Sequence, residues 1–138
     1  MISNRPLVSV VTLLMFSAMQ LWSESTMAKS HHPQQFLNQI AGDKYEGEKI
    51  VEHFCANCHA VKPVIQLGAP RIGNEEDWRY RLKKGFAVLF KNTEEGVNAM
   101  PAMGGCFECS DVQLKLAILA LLPESSRNLL ENQGKEHK

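Results

Sequence analysis

The sequence has no surplus of charge: 15 Lys and Arg stand against 15 Asp and Glu. A neutral chain lacks the electrostatic footprint that nucleic acid requires, so that class of partner is excluded. Strand-like alternation of apolar and polar residues is missing, and no internal repeat is visible, so 138 residues make at most one helical domain with tails. Charge is also absent from Leu7 to Met19, and Arg5 is the one charge before Glu24. A basic residue ahead of an uncharged apolar stretch has the form of a secretory signal, with cleavage points among the small residues Ser23, Ser25 and Ala28. Residues 1–28 are expected to be a cleavable signal peptide. The run from Leu7 to Trp22 falls short of the roughly 20 apolar residues that a spanning helix needs; if retained, it would hold the protein beside the membrane. No cysteine lies near the cleavage points, so lipid anchoring there has no support.

Export places all four cysteines, Cys55, Cys58, Cys106 and Cys109, in an oxidising compartment, the periplasm, where thiols pair or are taken up by a cofactor. Charge is patterned along the mature chain even though its sum is zero. Asp43, Glu46, Glu48 and Glu52 cluster early, and Arg71, Arg79, Arg81, Lys83, Lys84 and Lys91 come later. Such runs are either solvated faces or a docking patch.

Residues 29–42 read as a flexible arm, polar from Lys29 to Gln35. From Asp43 to Cys58, Tyr45, Ile50, Val51 and Phe54 recur at near-helical spacing, which predicts an amphipathic helix leading into the first cysteine pair. Gly47 weakens that helix and suits a site where a second helix comes close. Pro63, Gly68, Pro70 and Gly73 forbid a long helix over residues 60–73. Asn74 is a good cap, with Glu75, Glu76 and Asp77 in the turn where negative charge suits the helix dipole and Gly85 at the terminating position. A short helix follows from Phe86 to about Thr93. Ser110 and Gln113 have capping-box spacing ahead of an apolar run that Pro123 closes, so a buried last helix is expected. The domain is placed at residues 43–122 and a polar, fraying tail at 123–138.

Residues Cys55–His59 read CANCH, the attachment signal for c-type haem. Two thiols three apart share one side of a helical turn, where they can add across the vinyl groups of one porphyrin edge, and the next imidazole can ligate the iron. A zinc half-site and a redox-active dithiol compete with this reading, but structural zinc thiolates fit export poorly. A six-coordinate haem needs a second axial ligand, and Met100 and Met103 both lie in a Pro/Gly-rich loop. Pro101 stiffens the backbone after Met100. His31, His32, His53 and His137 are poorer candidates by position. The second pair, in CFECS, has Ser110 where histidine would stand and is no second attachment site. A disulfide, a catalytic dithiol beside a helix N-terminus, and a zinc site shared with Cys55 and Cys58 remain open for Cys106 and Cys109.

Taken together, Gly47, CANCH, GAP at Gly68–Pro70, NAMPAMGGCFECSD at 98–111 and the terminal helix resemble a small class I cytochrome c. The glycine pair and extra Cys-x-x-Cys after the methionine loop are similar to the bacterial cytochrome c5 group. The likeness covers about Asp43 to Leu122. It implies an all-α fold of three to five helices wrapped around one covalently bound haem c, with the first and last helices crossing near Gly47. It also implies thioether bonds at Cys55 and Cys58, axial ligands at His59 and Met100, and a Cys106–Cys109 disulfide. Pro70 would accept a hydrogen bond from the far ring nitrogen of His59, and Trp78 would serve a haem propionate or pack in the core. The family commonly has lysine or a similar residue where this chain has Met103. The implied function is electron carriage, not enzymatic catalysis, between redox proteins such as a membrane oxidase or reductase that dock transiently. Alternatives from other classes are a haem sensor or enzyme with a displaceable sixth ligand, and a haem-free zinc or dithiol module using both cysteine pairs.

Overall fold

The computed structural model describes residues 32–128 and residue 130. The expected signal peptide, residues 1–28, and most of the expected tail lie outside the described residues. Helices dominate: α1 (Pro33–Ile40), α2 (Glu46–Ile50), a π-helical turn (Val51–Cys55), α3 (Ala56–His59), α4 (Glu75–Leu82), α5 (Phe86–Glu95), a 3-10 turn (Ala102–Gly105) and α6 (Asp111–Leu121). Among the described residues the only β pairing is the isolated bridge between Val97 and Met100. The fold is all-α, as expected, and among the described residues it has six named α-helices where three to five were anticipated. One reason is that α2, the π turn and α3 form a single rod that the π turn divides.

The other reason is α1, which corrects the reading of residues 29–42 as a flexible arm. Pro33 starts this helix, where its missing N–H costs nothing. Leu37 and Ile40 are buried in the core, and Phe36 packs against it. Phe36 also stacks on the His53 ring, centroids 4.3 Å apart. The polar residues Gln34, Gln35, Asn38 and Gln39 mask this apolar stripe in the sequence.

The first rod and α6 cross at Gly47. A β-carbon there would stand 2.5 Å from the Leu116 carbonyl oxygen, so only glycine permits this approach. Glu46, buried beside it, accepts from the Gly42 backbone N–H at 2.8 Å and from the Gln113 side-chain amide at 3.0 Å. Gln113 also completes the capping box with Ser110, so one side chain starts α6 and fastens it to α2. Burial of Leu114, Ala117, Ile118, Ala120 and Leu121 makes α6 the centre of the core.

The expected fraying tail is corrected in part, because residues 124–128 continue as a helical turn after Pro123. Arg127 donates to the Ala120 carbonyl at 3.2 Å, one of the acceptors that the end of α6 leaves open, and pairs with Glu48 at 3.3 Å. Ser125 donates to Glu75 at 2.7 Å.

Candidate haem site

Cys55 closes the π turn, and Cys58 and His59 lie on α3, so a single rod presents the whole CANCH motif. Both thiols are free and half-buried. Burial, and then the neighbouring Cys58, pushes the Cys55 thiol up to about 11, which keeps it protonated at neutral pH. His59 is buried, with Nδ1 2.7 Å from the Pro70 carbonyl oxygen. A carbonyl can only accept, so Nδ1–H donates to it, and in the neutral ring the lone pair lies on Nε2.

The loop that brings Pro70 there is tied to α3 and α6 by its backbone. Ile65 N–H donates to Asn57 at 2.8 Å, Ile72 N–H to His59 at 2.7 Å, and Gly73 N–H to Leu121 at 3.0 Å. Asn74 caps α4 through the Asp77 N–H, as the sequence predicts. Asp77 in turn accepts from the Arg71 backbone N–H at 3.0 Å and from its guanidinium at 2.7 and 3.1 Å. That guanidinium holds the Asp77 carboxyl down at about 2. The indole N–H of Trp78, buried in the core, donates to the Arg71 carbonyl at 2.8 Å. Its partner in the structure is thus the backbone beside Pro70, and the ring packs in the core, one of the two roles expected for it.

Met100 and Val97 exchange both backbone hydrogen bonds, at 3.0 and 3.1 Å, closing a narrow loop. Gly96, at φ +80°, is required here: a β-carbon would lie 2.7 Å from the Met100 oxygen. Met100 is half-buried and takes no part in the core cluster, whereas Met103, in the left-handed region at φ +58°, packs against the core. Cys106 and Cys109 form a disulfide, both cysteines buried, between this loop and the Ser110 cap. With that pair joined, a zinc site drawing on all four thiols does not form. Among the described residues no three His, Cys, Asp or Glu side chains converge as a metal site.

The donor set fits a haem: two unpaired thiols three residues apart, an imidazole whose unprotonated nitrogen is Nε2, and a thioether outside the core. An all-α fold that joins the rod of α2, the π turn and α3 to α6 at a glycine, and presents CANCH on that rod, is that of a class I c-type cytochrome. Comparison with known proteins agrees. Residues 42–119 match the family described as cytochrome c oxidase, cbb3-type, subunit III. Cytochrome c5 of Azotobacter vinelandii is 37% identical over 79 residues, covering 56% of this chain and 92% of that one. Cytochrome c5 of Ectopseudomonas mendocina is 34% identical over 79 residues, 56% of this chain and 87% of that protein. Cytochrome c-555 of Chlorobaculum tepidum is 28% identical over 92 residues, 64% and 82% of the two chains. The chain belongs to this cytochrome family and, within the class I c-type cytochromes, to the cytochrome c5 group. Membership makes it a small electron carrier, not an enzyme, with covalently bound haem c, one per chain.

Sequence reasoning missed Glu46 and Arg127, which hold the rod against α6. Both read as ordinary solvated charges, since nothing local marks a carboxylate or guanidinium for burial.

Proposed function

We propose that the protein is a periplasmic one-electron carrier in which Cys55 and Cys58 hold the haem by thioether bonds and His59 and Met100 are the axial ligands. The observation that carries this reading is the 2.7 Å hydrogen bond from His59 Nδ1 to Pro70, directly beyond two free thiols. It fixes the tautomer and orients the ring, as partners of ligating histidines do. Trp78 and Asp77 act one step further out, holding Arg71 and with it Pro70. Met100 is preferred over Met103 because the latter is engaged in the core and the former is followed by Pro101, at φ −68°.

A bound haem would supply reversible one-electron ferrous–ferric chemistry, with His59 and Met100 as the two residues that would hold its iron and leave no position for a substrate. Partners are redox proteins such as a membrane oxidase or reductase, met through small, short-lived contacts. The uncharged run from Leu7 to Met19 supports export, and no helix of the described residues is long and apolar enough to cross a membrane.

A reduced-minus-oxidised absorption spectrum of the exported protein, with its intact mass, tests the reading. A low-spin His/Met spectrum and the added mass of one haem are expected; a high-spin spectrum or unmodified thiols would sink it. Met100→Ala is expected to leave the haem attached, lower the potential and abolish the methionine signature, whereas Met103→Ala keeps it. The reverse pattern would transfer the ligand role to Met103.

A further inference from the structure

A groove of about 670 Å³ runs between the loop at residues 60–73 and α4. Lys62, Gln66, Pro70 and Arg71 line it from the loop, and Asp77 and Arg81 from the helix. Val61 also lines it and is 66% exposed, and Val64 on the same loop is 83% exposed, so the rim is apolar and open to water.

The charges inside do not cancel. Asp77 is matched by Arg71 through three hydrogen bonds. Arg81 donates to the Asp77 backbone carbonyl at 2.6 Å, and neither Arg81 nor Lys62 has a carboxylate within ion-pair distance among the described residues. Two cations are left over, and the exposed Lys83 and Lys84 continue the same sign past the end of α4.

We propose that this groove is the docking site for an acidic segment of a protein redox partner, whose carboxylates meet Lys62 and Arg81 and whose apolar residues cover Val61 and Val64. The volume and the apolar rim argue for a polypeptide, since a small anion would neutralise the cations and leave the valines exposed. Charge complementarity of this kind speeds encounter and fixes orientation. Location adds a functional reason. Pro70 forms part of the wall, and its carbonyl holds His59, so an occupant lies one residue away from the ligating imidazole. The inference rests on the electron-carrier reading.

Amide chemical shifts of the haem-loaded, reduced, ¹⁵N-labelled protein, titrated with a short polyglutamate peptide carrying one valine, provide the test. Saturable shifts are expected at Lys62, Gln66, Ala69 and Arg71. Affinity is expected to fall about ten-fold in Lys62→Glu/Arg81→Glu, and to weaken as ionic strength rises from about 0.01 M to about 0.15 M. Lys44→Glu, at the foot of α2, is expected to bind as the parent does. Shifts centred on Lys83, Lys84 or Lys115, or unchanged affinity in the double variant, would overturn the docking site, as would inorganic phosphate saturating the same amides equally well. The absorption spectrum separates the two claims: an intact His/Met spectrum with no groove binding rejects the docking site alone, and its absence from the parent protein rejects the carrier reading.

Discussion

At Gly47 a methyl group would collide with the Leu116 backbone, whose carbonyl oxygen and carbon lie 2.5 and 2.8 Å from the ideal β-carbon position. Neither atom is the end of a flexible side chain, so relief requires the two helices to move apart. Gly47→Ala ordinarily gains up to about 1 kcal/mol in helix propensity; here overpacking reverses the sign, and a net loss of about 1–3 kcal/mol is expected. Urea unfolding checks it, as a lower midpoint at unchanged slope. This residue was legible in the sequence because glycine inside an amphipathic helix is costly without a reason. The neighbouring Glu46 was not, because its burial depends on Gln113, which lies 67 positions away. Met100 and Met103 fall between these cases. Their loop was legible from Pro101, Gly104 and Gly105, but the packing of Met103 against the core was not.

Elements with chemical start signals were read well. Asn74 and Ser110 cap α4 and α6 as expected, because a side-chain oxygen serving open N–H groups is a local event. The π turn was illegible, since Val51–Cys55 carries the same apolar pattern that an α-helix would carry. Between the methionine loop and α6, the disulfide and the capping box act in series on one short connection. Closing so short a loop contributes about 2 kcal/mol by chain entropy. Cys106→Ser/Cys109→Ser is therefore expected to lower stability by about that amount while leaving the haem covalently attached, as thermal unfolding and intact mass would register. A loss of about 5 kcal/mol or more would mean that the pair supports the core itself, beyond its own loop.

On the scale of the molecule, α1 extends the family domain, since the match begins at residue 42 and α1 ends at Ile40. It is nevertheless part of the core, because Leu37 is fully buried. Leu37→Ala is expected to cost about 2–5 kcal/mol, measurable by denaturant unfolding; a change within about 0.5 kcal/mol, typical of a surface position, would show that α1 is dispensable. The crossing at Gly47 also has a bearing on time. Leu116 is synthesised 69 residues after Gly47, which at ordinary elongation rates is a delay of roughly 3–14 s. Until Leu116 is made, the rod that carries CANCH has no partner at Gly47, so the segment that presents the two thiols completes its packing only when the far end of the domain exists.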